Sequence, residues 1–193
     1  MTRSRTIASV DVPQRDQLQD VRRVVDALFE RPGRLSDLPS MTGLSKRHVE
    51  YALHAARVLG WLASDGSWAV TQDGKKLVGE GPGGLGERSR FRNAIEQSVV
   101  LRRIAPGLLS TSRPSKQSLT ARIKKCAPAL SEETAARRAQ TLLAWREQAL
   151  DPQLPLPAPE AAPPDAAISQ ALIHHLHRMN PWWQGNLGPP VPP

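Results

Sequence analysis

One cysteine in 193 residues, Cys126, leaves the chain without an internal disulfide, and no Cys-x-x-Cys or Cys/His pair stands at zinc-finger spacing. A disulfide framework and a structural zinc site are therefore both excluded, and a reducing compartment is expected. The sequence also lacks any run of 18 apolar residues, and Met1-Thr2-Arg3-Ser4-Arg5 is not followed by an apolar stretch of the kind a secretory leader carries. It reads as a soluble, cytoplasmic protein with no membrane partner. No catalytic constellation is legible either: Ser and His do not form a nucleophile elbow, and the acids are scattered over solvent faces. The glycine-rich Gly81-Pro82-Gly83-Gly84-Leu85-Gly86 is followed by Glu87-Arg88 rather than the Lys-Ser/Thr of a phosphate loop, and no dinucleotide fingerprint fits. The expectation is a non-enzyme that needs no cofactor.

What the chain has is positive charge, unevenly spread. Its 26 Lys and Arg against 18 Asp and Glu give a formal net charge of +8. Residues 1–80 carry 12 basic and 10 acidic side chains, residues 81–150 carry 13 and 5, and residues 151–193 carry one and three. The excess lies in the middle of the chain, and such a balance favours a polyanionic partner.

Residues 1–16 are polar, hold Pro13 and show no periodicity, so they read as a flexible arm. Leu18, Val21, Val24, Val25, Leu28 and Phe29 then recur at helical spacing, with Arg22, Arg23 and Asp26 on the outward side, until Pro32-Gly33. A short helix is expected over 35–41, and Gly43 breaks it. Ser45 caps a third helix whose apolar stripe is Val49, Leu53, Ala56 and Leu59, closed by Gly60. The period then changes, because Trp61-Leu62-Ala63, Ser64-Asp65-Gly66-Ser67 and Trp68-Ala69-Val70 read as strand, tight turn and strand.

Residues 81–86 are the expected linker. Beyond it, a basic helix is expected over 87–109, another over 118–126, and a third over 132–150 with Ser131 as its cap and Glu132 and Glu133 in its first turn. Residues 151–167 are rich in Pro and Ala and read as an extended linker. Residues 168–193 hold a short helix over 168–179 and then a Trp/Pro tail. His174, His175 and His177 lie in that helix without a nearby Cys or carboxylate, and read as a partly exposed face rather than a metal site.

The order of helix, helix, glycine turn, helix and hairpin resembles the bacterial winged helix-turn-helix proteins over residues 17–79, within an expected domain of residues 17–80. The carrying residues are Thr42-Gly43-Leu44-Ser45, Leu59-Gly60-Trp61-Leu62 and Val70-Thr71-Gln72-Asp73-Gly74-Lys75-Lys76-Leu77. A second unit over 87–150 resembles helix-turn-helix segments found beside restriction and phage-defence components, on Leu130-Ser131, Thr134, Arg137-Arg138-Ala139-Gln140-Thr141 and Trp145. Asn180-Pro181-Trp182-Trp183 resembles the lead-in to the nucleotide-binding core of some AAA ATPases, although no such core follows. The fold class expected is mainly α: a winged helix-turn-helix of three helices and a small β-hairpin, then a helical module and the tail.

The resemblance implies that the third helix enters the major groove of duplex DNA, through Ser45, Lys46, Arg47, Glu50, Tyr51, His54 and Arg57. Arg47 and Tyr51 carry the most weight. Lys46 and Arg47 suit phosphates or guanine edges, whereas Glu50 repels phosphate and can accept from cytosine. Lys75 and Lys76 beyond the wing, and Arg122, Lys124 and Lys125 in the second unit, suit phosphates. Thr134, Arg137, Arg138 and Thr141 are expected along one side of the last helix, opposite Ala135, Ala139 and Leu142. The competing reading of any one of these side chains is an ordinary solvated helix face.

Two functions follow from different premises. One is duplex DNA binding, as a transcriptional regulator or as the DNA-reading component of a defence system. The other is a protein-interaction adaptor whose Trp182 and Trp183 dock a AAA-type ATPase. A homodimer through residues 87–109 and a monomer that spans two half-sites both remain open.

Overall fold

A computed structural model describes residues 6–150, all within one compact unit. The sequence readings on residues 151–193, Trp182 and Trp183 included, lie outside the described residues. Eight α-helices account for most of the described chain, which is mainly α: α1 (Leu18–Glu30), α2 (Leu38–Thr42), α3 (Lys46–Val58), α4 (Gln72–Val78), α5 (Leu85–Gln97), α6 (Val99–Ile104), α7 (Lys116–Cys126) and α8 (Glu132–Leu150). No helix among these residues is long and apolar enough to cross a membrane.

Helix α1 forms where its apolar spacing predicts, and Leu18, Val21, Val24, Val25 and Leu28 are buried. Two of its side chains are not where the spacing puts them. Phe29 is 46% exposed, whereas Arg22, expected outside, is only 4% exposed. The reason for the second is Glu87 on α5, which is fully buried and accepts from Arg22 Nη1 at 2.7 Å, from Gln19 Nε2 at 2.9 Å and from the Gly83 N–H at 2.6 Å. Arg22 Nη2 also donates to the Glu80 carbonyl at 2.7 Å. A buried carboxylate must be paired and hydrogen-bonded, and this one draws the arginine inward.

A 3-10 turn, Leu35–Asp37, runs straight into α2, and Gly43, at φ 70°, ends it in the left-handed region where a Cβ is strained. The hairpin expected after α3 reduces to one antiparallel bridge between Leu62 and Val70, and no strand is assigned among the described residues. The Ala63 N–H donates to the Ala69 carbonyl at 2.8 Å, and the Thr71 N–H to the Trp61 carbonyl at 3.0 Å. Trp68, at φ 56°, turns the backbone over just before Ala69 and breaks the alternation that a longer ladder needs.

The Thr-x-x-Gly-x-x-Leu pattern then builds α4, a helix that periodicity did not reveal. Thr71 caps it by accepting from the Gly74 N–H at 3.1 Å, and Leu77 is buried. Gly74 packs so close to the 61–71 loop that a Cβ would lie 2.4 Å from the Trp61 carbonyl oxygen.

The single basic helix expected over 87–109 is two, because Ser98 interrupts it. At ψ 118° its hydroxyl donates to the Val58 carbonyl at 2.7 Å and accepts from the Leu101 N–H at 3.3 Å, so it ends α5, caps α6 and fastens both to the end of α3. Ser131 caps α8 through the Thr134 N–H, as its position predicts, and Ser115 caps α7 through the Ser118 N–H, so that helix starts at Lys116, two residues before the expected start.

One apolar core extends from Ile7 to Ala149, with Trp61, Phe91 and Trp145 its largest fully buried members. The Trp61 and Phe91 rings lie 5.6 Å apart, which joins the loop after α3 to α5 across residues 81–86. Helices α7 and α8 form the most extensive helix pair.

Of the expected flexible arm, residues 6–16 are packed instead. Ile7 and Val12 are buried, and the Ile7 N–H donates to the Cys126 carbonyl at 2.9 Å. Trp145 Nε1 donates to the Arg15 carbonyl at 2.8 Å, and Gln148 Nε2 to the Asp16 carbonyl at 2.6 Å. An aperiodic segment with two apolar anchors docks when a distant helix satisfies its carbonyls.

Candidate nucleic-acid interface

The turn before α3 is built from side-chain bonds to the backbone. Thr42 Oγ1 donates to the Leu38 carbonyl at 2.6 Å and accepts from the Leu44 N–H at 3.3 Å, and Ser45 Oγ accepts from the His48 N–H at 3.3 Å. These bonds fix where α3 starts and which side chains its first turn presents.

That first turn carries Lys46, Arg47 and His48, all exposed, with no acid among them. The N-terminal end of a helix bears partial positive charge, so acids are favoured there and cations disfavoured. Neither Lys46 nor Arg47 forms an ion pair among the described residues. Glu50 is exposed one turn on. Arg47 Nε donates to the Tyr51 hydroxyl at 2.6 Å, and the guanidinium lies 5.3 Å from the ring centroid, so the two residues that weighed most in the sequence form one unit. His48 belongs to this group and went unnamed in the sequence reading; its place three residues after the Ser45 cap was the available signal.

Further along α3 the expected contact residues turn inward. His54 meets Trp68 edge-on at 5.5 Å, and its Nδ1 is buried without a hydrogen-bond partner among the described residues. Burial, with Arg57 adding to it, holds the imidazole below its ordinary value of 6.5 and so keeps it neutral at pH 7. Arg57 donates to Asp11 Oδ1 at 2.6 Å while its guanidinium lies 5.6 Å over the Trp68 ring. His54 and Arg57 thus hold Trp68 and the 61–71 loop in place. Sequence periodicity could not assign them this task, since Trp68 reaches them through its left-handed backbone and Asp11 through the packed arm.

Within that loop Asp65 Oδ1 accepts from the Ser67 N–H at 2.9 Å and from Ser67 Oγ at 2.6 Å, which keeps its carboxyl below the usual range. Lys75 is exposed, whereas Lys76 is neutralised by Asp73 at 2.8 Å.

The second unit departs further from expectation. Arg137 is exposed but held by Glu133, and Glu132 and Glu133 give the start of α8 negative charge. Arg138 and Thr141, expected on an outward side, are 8% and 7% exposed. Thr141 Oγ1 donates to the Arg137 carbonyl at 3.3 Å, and Arg138 donates to the Val12 carbonyl. The correction has a simple cause: α5, α7 and the arm all pack on α8, so its buried arc takes in Ala135, Arg138, Ala139, Thr141, Leu142 and Trp145. Thr134 is half-buried at the cap.

On α7, Lys124 Nζ is occupied by the carbonyls of Pro128 and Leu130, and Arg122 Nε donates to the Arg103 carbonyl at 2.9 Å. Lys125 is exposed. Arg122 and Lys125, with the exposed Arg102 nearby on α6, form the basic patch this unit retains. Arg102 and Lys125 lie in the last turns of α6 and α7, where cations also complement the dipole.

In comparisons with known proteins, the chain matches no family model, no curated protein and no solved structure.

Proposed function

We propose that this protein binds duplex DNA through α3, with α2 and α3 as a helix-turn-helix and the 61–71 loop with α4 as a reduced wing. The observation that carries this reading is the cationic first turn of α3. Lys46, Arg47 and His48 stand exposed at the positive end of a helix dipole, with no acid in that turn. Such an arrangement is unfavourable by itself and becomes favourable against a polyanion, whose phosphates also suit the helix N-terminus. Arg47, together with Glu50 and Tyr51 on the next turn, supplies donors and acceptors for base edges or sugar-phosphate.

Arg122, Lys125 and Lys75 add contacts to phosphate that carry no sequence information. Helix α8 takes no part in reading bases, because its start is acidic and its inward arginine is covered. The biological setting is a transcriptional regulator or the DNA-reading component of a defence system.

Equilibrium binding of the full chain to a labelled mixed-sequence duplex, followed by anisotropy across a salt series, tests the proposal. Affinity should fall linearly on a log-log plot, with a slope of roughly −0.9 for each phosphate neutralised. No binding at low salt, or binding indifferent to salt, overturns it.

A further inference from the structure

Phe29 leaves the apolar stripe of α1 with 46% of its surface exposed, and it does not stand alone. It lines a cleft of about 480 Å³ between the end of α1 and the 61–71 loop, together with Leu28, Pro32, Trp68, Val70 and, from α4, Lys75. The walls are aliphatic and aromatic, and Lys75 supplies the charge among the described lining residues. This lysine is exposed and forms no ion pair among the described residues, whereas its neighbour Lys76 is matched by Asp73 at 2.8 Å.

The place of Lys75 is set by how closely α4 sits on the loop. Thr71 caps the helix, and a Cβ on Gly74 would lie 2.7 Å from Val70 Cγ1, so the next residue is carried to the rim of the cleft. A concave site of this size, with apolar and aromatic walls and few polar groups to orient the occupant, is the form that small-molecule sites take. Its charge also selects a class of ligand. A lone cation at the edge of an apolar cleft suits one anionic group on an apolar body, joined to it by a charge-assisted hydrogen bond. A second cleft, of about 550 Å³ beside the end of α3, lacks this pattern, because its Arg57 is matched by Asp11 at 2.6 Å and its Asp73 by Lys76.

We infer that the cleft beside Phe29 binds a small free carboxylate with an aromatic body, held by Lys75 at the carboxyl end and by Phe29, Pro32 and Trp68 around the ring. The site borders α3, since Trp68 also meets His54 edge-on at 5.5 Å and carries the Arg57 guanidinium over its ring. Lys75 thus has two claimants, the carboxylate of the ligand and a phosphate of the duplex. The cleft itself goes beyond the duplex reading, and the competition for Lys75 rests on that reading.

Isothermal titration of the full chain with 2-naphthoate at fixed ionic strength tests the site. The matched amide, 2-naphthamide, keeps the ring without the charge, and acetate keeps the charge without the ring. Naphthoate should bind with a Kd of about 1 mM or tighter, the affinity that a dozen heavy atoms give at ordinary ligand efficiency. Naphthamide should bind about 3- to 10-fold more weakly, and acetate should give no measurable heat. Lys75→Met should weaken naphthoate by the same about 3- to 10-fold while leaving naphthamide unchanged, and Phe29→Ala should weaken both. Both side chains are exposed, so each variant should keep the Tm of the unaltered chain. The Trp68 indole N–H resonance, assigned with Trp68→Phe, should shift as naphthoate is added. Absence of naphthoate binding, equal binding of the amide, or a Kd indifferent to both replacements overturns the site.

Duplex anisotropy then tests the competition. Saturating naphthoate should lower the magnitude of the log-log salt slope by about 1 in the unaltered chain and leave that of Lys75→Met unchanged. Naphthoate that binds as described while the slope of the unaltered chain stays fixed overturns the competition. Naphthoate bound with the expected dependence on Lys75 and Phe29, by a chain that binds no duplex at all, supports the cleft and removes the duplex reading, so the two failures are distinct.

Discussion

Arg57 on α3 and Asp11 in the N-terminal segment lie 2.6 Å apart, and the same guanidinium covers the Trp68 ring. The pair divides α3 into two parts: a first turn open to solvent, and a second half used to hold the arm and the loop. Arg57→Met should therefore cost about 1 kcal/mol of stability, the usual value of a partly exposed ion pair, with the lost cation–π contact adding to it. Urea unfolding measures that cost. The salt slope of duplex binding should not change, and a slope reduced by a full unit would mean that Arg57 meets a phosphate.

Glu87 is fully buried and serves three donors, so its removal strands Arg22 in the core. Glu87→Ala should destabilise the fold by about 3–5 kcal/mol, the penalty for a buried charge left unpaired. Replacing both members with apolar residues should recover much of that loss. If the double replacement unfolds as readily as the single one, the pairing is not the source of the effect.

His54 gives the fold a pH dependence with a definite sign. Its folded pKa lies below the ordinary 6.5, so between those two values the unfolded chain binds more proton than the native one. The contribution to stability is complete above about pH 6.5 and is lost as pH falls through the folded value. Tm followed over this range should drop on acidification, and His54→Phe, which keeps a ring against Trp68, should flatten that drop.

Gly74 tests whether the 61–71 loop depends on close approach to α4. A methyl there would meet the Trp61 carbonyl oxygen at 2.4 Å and Val70 Cγ1 at 2.7 Å. Gly74→Ala should therefore cost about 1–3 kcal/mol despite alanine's better helix propensity, as overpacking does in a filled core. A neutral or raised Tm would show that α4 can move away from the loop.

The elements legible in sequence were those with a local cause. Ser45 and Ser131 cap helices through bonds three residues away, and the stripe of α1 follows from a period of 3.6. What escaped depends on residues far apart in the chain. Arg22 turns inward for a glutamate 65 positions on, and Arg138 for a carbonyl 126 positions back. The break at Ser98 requires the Val58 carbonyl, and the left-handed Trp68 answers to His54 and Arg57. On the candidate interface, the Arg47–Tyr51 pair was readable because it spans one helical turn. The inward turn of His54, Arg57, Arg138 and Thr141 was not, because each depends on what packs over it.

Lys46 and Arg47 against Arg137 provide the sharpest comparison between the two helical units. All three are exposed cations in helices that follow a turn, and all three looked alike in sequence. Arg137, however, is neutralised by Glu133 in the acidic first turn of α8, whereas Lys46 and Arg47 stand without ion pairs among the described residues at the positive end of α3. A phosphate would have to displace Glu133 and approach Glu132 to reach Arg137, while at α3 it relieves repulsion with the dipole. Joint replacement of Lys46 and Arg47 by glutamine should thus lower the magnitude of the log-log salt slope by about 2 and weaken binding on every sequence. Arg137→Gln should leave both the slope and Kd within about a factor of two, as exposed ion pairs contribute little. The reverse pattern, a slope that follows Arg137 and ignores Lys46 and Arg47, would move the interface from α3 to α8.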